Sequence, residues 1–390
     1  GLLFGVGGGS LMSKARGEGN ERRGREFFTC ALVCVSVVAL AVWALLIFCE
    51  TPLLRLFGAD DTLLPLAKGY LKWMKFSMPL FTMGQFLACF IRNDNAPAKA
   101  MAAVITGGVF NIGGDYFFVF VCDMGVEGAG LATALGQVLA ILILCSHFFS
   151  KKNGLKTVRF SAFFKKASAI FVAGFSVFVV DIAMGILAML FNNQIMKYLD
   201  TSSLAVYGVI VNLSSLVQSL SYGVGQAAQP IVSKAYGAGR TEDIRRVQRY
   251  GIVSAFVVGL LALAAAEAFP SAIIRGFMKT DSVVESIAPR ILRIYALSFV
   301  LLPRNIFFTY FYQAIMKPAG ALTISLVRGI CVSGLLIFIL PLIFGGEALW
   351  WVMPVTELLT FALGLLLDRK YRLPAGGDKR GVAVEKAIKL

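Results

Sequence analysis

VITGGVFNIGGDYFFVFV, residues 104–121, holds a single charged side chain, Asp115, in a run otherwise made of apolar, glycine and uncharged residues. As a helix its eighteen residues would rise about 27 Å, close to the thickness of a bilayer's hydrocarbon core. The whole chain has the same character. Hydrophobic residues make up 58% and charged residues 15% of it, against about 25% charged in soluble domains. The fold is therefore predicted to be all-α and integral to a membrane, which excludes the soluble enzyme and nucleic-acid-binding classes despite a net charge of +15.

Working outward, complete apolar spans are predicted near 27–49, 70–91, 99–121, 127–149, 165–196, 203–228, 249–269, 290–314, 320–344 and 348–367, with an apolar fragment at 1–12. Of the 37 Lys and Arg, 26 fall in alternate loops and the C-terminal tail, nine on the opposite side, and two, Arg304 and Arg328, inside spans. The positive-inside rule makes the richer side cytoplasmic and places the tail DRKYRLPAGGDKR there. Lipid headgroups, and not nucleic acid, are the expected partners of this charge. The cysteines show no C-x-x-C or Cys/His metal spacing and read as small packing residues. His147, the only histidine, reads as an interfacial residue ahead of the basic loop SKKNGLK (150–156).

An internal repeat sets the domain organisation. SKARGEG (13–19) recurs as SKAYGAG (233–239), and LLRLFGADD (53–61) as IIRGFMKTD (273–281), both at an offset of 220. Six spans separate the first pair, so both copies are expected on one side and the halves in one orientation. The lobes are predicted at 1–149 and 167–367, joined by a basic linker at 150–166 and followed by the basic tail 368–390. About 70 residues and two spans precede the second SKA loop but only 12 residues the first. The expectation is a 12-span protein of two six-helix lobes, of which this sequence lacks the first span and most of the second, roughly 60 residues.

The intramembrane polar residues carry the functional expectation. Asn111 and Asp115 are four apart and share one helix face. A mid-bilayer charge costs about 2.5–3.5 kcal/mol on insertion scales and marks an ion or substrate path when it lines a cavity. Low dielectric favours neutralising the carboxylate, by a proton or by Na⁺. Asp181 is as isolated in its span. Asn192 and Asn193 could line the same cavity or mark the edge of the hydrocarbon layer. Glu357, after Pro354, is either a cavity carboxylate or the partner of an arginine. Arg304 and Arg328 are the expected partners of Asp181 or Glu357. FGVGGGS (4–10) has no following Lys-Ser/Thr and reads as a helix-packing surface instead of a phosphate loop.

SKARGEG, the RNDNAP turn (92–97), the NIGGD helix, MGVEGAGLATALGQ (124–137), YGVGQAAQPIVSKAYGAG, FYQAIMKP and PVTELLT together resemble the multidrug and toxic compound extrusion (MATE) family, in its branch of multidrug exporters and DNA-damage-inducible relatives. The resemblance runs to about residue 367. It implies two six-helix lobes and export of organic cationic or amphipathic compounds in exchange for H⁺ or Na⁺, with no other cofactor. It also implies a first-lobe cation site at Asn111 and Asp115, with Thr133 on the next helix and Tyr70 at the start of an earlier one. The family's site includes a further Asp on the first helix, before the first residue of this sequence. Asp181 matches the family's second-lobe acidic position. A monomeric plasma-membrane transporter, not an enzyme, is expected. A lipid-linked oligosaccharide flippase of the same superfamily is the alternative, since Arg304 and Arg328 could hold pyrophosphate. A membrane transferase would need clustered carboxylates or a second histidine.

Overall fold

The 220-residue repeat reappears in the helix boundaries of the computed structural model, which describes residues 1–57, 59–278 and 282–371. Helix α1 (Leu2–Gly17) ends where α8 (Thr201–Gly237) ends one offset later, and α2 (Glu21–Phe48) matches α9 (Thr241–Ala268) at both ends. The short helices α3 (Glu50–Leu56) and α10 (Pro270–Phe277) follow them and begin 220 residues apart. The turns agree as well. Gly19 and Gly239 after the SKA loops have φ of +79° and +71°, and Asn95 and Met316 have +59° and +57°. IIRGFMKTD lies within the described residues only as far as Met278.

The other first-half helices are α4 (Leu63–Asn93), α5 (Pro97–Asp115), continued by a π-helical turn at Tyr116–Val121, and α6 (Gly125–Cys145). Then come α7 (Phe163–Tyr198), α11 (Ser282–Ala296), α12 (Leu302–Ala314), α13 (Pro318–Leu326), a π-helical turn at Val327–Cys331, α14 (Val332–Phe344) and α15 (Val352–Lys370). Among the described residues ten helical stretches are long and apolar enough to cross a bilayer, and there are no strands. Several run past the predicted spans, as α8 does to Gly237, because helix continues into the aqueous layer where hydropathy no longer marks it.

The chain forms two compact units, residues Gly1–Gly174 and Phe175 onward, dividing inside α7. In the first, Phe28, Phe86 and Phe90 pack at ring distances of 4.7–6.1 Å with Met12, Ile91, Leu144 and Ile170 around them. In the second, Phe307 and Phe311, 221 residues beyond Phe86 and Phe90, pack with Phe308, Tyr312 and Ile324. Meanwhile Val37, Leu40, Val109 and Ile112 are all more than half exposed, as a lipid-facing surface requires. FGVGGGS is a packing surface: a Cβ on Gly7 would strike the Ile170 carbonyl and one on Gly8 the Phe90 ring.

The linker is strapped to the first unit. Leu155 is buried in its core, and Val158 donates its N–H to Thr29 Oγ1 at 3.1 Å. His147, at the end of the span that precedes the linker, is only 1% exposed.

Candidate functional site

In the first unit α4, α5 and α6 bring Tyr70, Asn111 and Thr133 of the implied cation site together. A Cβ on Gly130 would collide with the Tyr70 carbonyl, so its absence lets α6 approach α4 there. One on Gly136 would lie 2.7 Å from the Gly107 carbonyl, which draws α5 against α6 beside Asn111. Thr133, between these two glycines, becomes the hub. Its Oγ1 donates to the Ala129 carbonyl at 3.0 Å and accepts from Asn111 Nδ2 at 3.1 Å. With that proton committed, Tyr70 is left to donate its hydroxyl to the same oxygen, at 3.4 Å. Asn111 thus spends its amide N–H on Thr133, and its carbonyl oxygen lies outside these bonds.

Asp115 is one turn further along α5, half-buried, at the junction with the π-helical turn. Its Oδ1 is buried without a hydrogen-bond partner. An unpaired buried carboxylate oxygen is costly unless something neutralises it. An oxygen-only set of carboxylate, amide carbonyl, hydroxyl and phenol suits a hard monovalent cation or a proton and would not suit a soft metal. Gly136→Ala is expected to destabilise the purified chain by about 1–3 kcal/mol, because a Cβ against a backbone carbonyl forces the helices apart. A lowered unfolding midpoint checks this.

The second unit contains the two intramembrane arginines. Arg328, in the π-helical turn after α13, donates Nε to Glu357 Oε1 at 2.6 Å. Asn305 donates Nδ2 to the other carboxylate oxygen at 2.7 Å. Glu357 is 0% exposed, so of the two alternatives open to it the structure has the arginine pair. Arg304 forms no ion pair with Asp181 or Glu357 among the described residues, contrary to expectation. Its guanidinium lies between the rings of Phe308 and Phe361, 4.2 and 4.4 Å from their centroids, and donates to the Phe361 carbonyl at 3.4 Å. Cation–π contact replaces the expected carboxylate. Asp181 is exposed and not ion-paired with either arginine, and Asn192 and Asn193 are exposed on the same helix.

A cluster that sequence patterns do not reveal joins the SKA loop, the RNDNAP turn and the linker. Asp94 is 2% exposed; Arg16 Nη1 and His147 Nε2 each lie 2.7 Å from its carboxylate, and the Gly154 N–H donates to it at 2.8 Å. Beside it Ser13 donates to Asn93 Oδ1 at 2.6 Å. RNDNAP has the composition of a turn, and nothing local in the sequence ties its Asp to residues 78 before and 53 after it. Asp94→Ala is expected to cost about 2 kcal/mol, the value of charge-assisted hydrogen bonds, since Arg16 keeps Glu21 at 3.3 Å. Thermal unfolding and proteolysis of the linker would register it.

A family model described as MatE matches residues 1–117 and 177–339. The chain is 25% identical over 374 residues to the multidrug export protein MepA of Staphylococcus saprophyticus, covering 94% of this chain and 81% of that protein. The same identity extends over 373 residues of MepA from Staphylococcus aureus, again with 94% and 81% covered. Among solved structures, an outward-facing multidrug resistance MATE family transporter of the MOP superfamily superposes with a TM-score of 0.87 at 19% identity, over 95% of this chain and 83% of that one.

Proposed function

The chain belongs to the MATE family, and from that premise we propose that it exports organic cationic or amphipathic compounds across the plasma membrane in exchange for H⁺ or Na⁺. The two MepA relatives are multidrug exporters, which supports the substrate class. The observation that carries ion exchange is Asp115. Its buried, unpartnered oxygen stands one turn from Asn111, whose amide is already committed to Thr133. A carboxylate in these surroundings is stabilised by a proton or Na⁺ that binds it and is later released.

The ion's inward movement supplies about 2.3 kcal/mol per charge per 100 mV, besides its concentration gradient. That energy does work only if the ion binds one access state better than the other. The tie of Asn111 and Tyr70 to Thr133 spans three helices, and Asp115 lies one turn beyond it on α5, so a shift of α5 would move the tie and the carboxylate together. The basic loops are proposed to face the cytoplasm, and with them the end of α15.

The flippase alternative has less support. Arg328 is neutralised by Glu357 and Arg304 is enclosed by two rings, so neither offers a free charge to pyrophosphate. The test is dye efflux from vesicles containing the purified chain, with a pH or Na⁺ gradient imposed in turn. Dye movement that follows one gradient and stops when it is collapsed is expected. Movement indifferent to both gradients would remove ion exchange from the proposal.

A further inference from the structure

Inside the second unit, α7, α8, α11, α13, the π-helical turn at Val327–Cys331 and α15 surround a pocket of about 80 Å³. Its walls are mostly apolar, from residues such as Leu187, Phe191 and Met353. Besides Tyr207, Ser214, Ser215 and Tyr295, three polar side chains that the ion-exchange site does not use are set into them: Gln218, Ser325 and Arg328. They are 8%, 1% and 8% exposed, and Gln218 Oε1 and Ser325 Oγ are buried without a hydrogen-bond partner. Leaving such atoms unpaired costs about 1–3 kcal/mol each. The π-helical turn is a second mark of function, since it widens the helix where Arg328 joins the wall.

The chemistry of these groups is specific. Gln218 Oε1 is an acceptor in want of an N–H. Arg328 gives Nε to Glu357 and has further N–H donors on the same guanidinium. Ser325 can donate or accept. Because Arg328 and Glu357 cancel, the pocket has donors and an acceptor but no net charge from this pair. An anion would enter without compensation, whereas a neutral group presenting a C=O beside an N–H would satisfy both sides. Asp181 is one turn before Met184 and two before Ala188, which line the pocket, so a cationic part of the same molecule would meet a carboxylate near it.

We propose that this pocket is a specificity subsite for the amide group of an amphipathic substrate, its N–H received by Gln218 and its C=O by Arg328 and Ser325. The proposal names a substrate feature of the transport activity above and rests on it for efflux, but binding alone can be measured without it.

The test compares a fluorescent organic cation carrying a secondary amide with the ester of the same dye, which keeps the carbonyl and replaces N–H by oxygen. Binding is read by fluorescence anisotropy on the full chain in nanodiscs without a gradient, and efflux is read in vesicles. The amide dye is expected to bind about tenfold more tightly, the effect of leaving one buried acceptor unpaired. Gln218→Leu is expected to bring the amide-to-ester ratio close to one, and Ser325→Ala to lower the affinity for both dyes. Equal affinity of the two dyes for the unmutated chain, as for a pocket that holds only water, overturns the subsite whatever the efflux result. So does a ratio that survives Gln218→Leu. Failure of gradient-driven efflux with the affinity ratio intact would instead count against ion exchange.

Discussion

Asp115→Asn is expected to reduce gradient-driven dye efflux to the level of protein-free vesicles while the chain remains folded. The exchange keeps the side chain's size and its capacity to hydrogen-bond, but it removes the only charge between residues 104 and 121. In the folded protein that charge has one buried oxygen with nothing bound to it, so its loss leaves no ion pair broken and no cation stranded. The stability of the variant should therefore equal or exceed that of the unmutated chain, since a desolvated charge has been deleted. Function and stability thus move in opposite directions. A variant that still responds to either imposed gradient would show that the coupling ion is held elsewhere.

Arg328→Ala is expected to act in the reverse sense, with its main effect on stability. Glu357 is wholly enclosed, and its carboxylate is held by Arg328 at 2.6 Å and by Asn305 at 2.7 Å. Removing the guanidinium strands a buried carboxylate, which costs about 3–5 kcal/mol when one member of a buried pair is deleted. The double variant Arg328→Met with Glu357→Leu should recover most of that loss, because the desolvation of both charges disappears together. Unfolding midpoints of the three proteins in detergent decide it. If the single and double variants were equally unstable, packing around the π-helical turn and not the ion pair would be the source. Asp115 and Glu357 are thus two carboxylates in apolar helices with different surroundings, one with a buried oxygen that has no partner and one held by Arg328 and Asn305.

From sequence the two look alike: each is a lone acid in an apolar span. What separates them is a partner 29 residues away from Glu357 and on another helix, and no local pattern reports that. The repeat, by contrast, is fully legible, because identical loop chemistry such as SKA-x-G-x-G forces identical turns. The match of α2 to α9 at both ends follows from it. The α5 face is legible too, since a spacing of four residues fixes Asn111 and Asp115 on one side of a helix. Thr133 and Tyr70 enter only through the family resemblance. Their meeting depends on Gly130 and Gly136, which look like ordinary small residues of a membrane helix until the carbonyls they accommodate are seen. Arg304 departs from expectation because charge is expected to seek charge, whereas two phenylalanine rings on adjoining helices provide for it. Asp94 and His147 give no sequence signal because their bond joins a turn to the far end of another helix.

The most direct measurement is of the ion itself. With vesicles loaded with substrate and no ion gradient imposed, outflow of substrate through the unmutated chain should drive H⁺ or Na⁺ in the opposite direction, recorded by an internal indicator. Asp115→Asn should abolish that ion movement. Substrate leaving down its own gradient with no ion moving in return would contradict an exchangeable ion at Asp115.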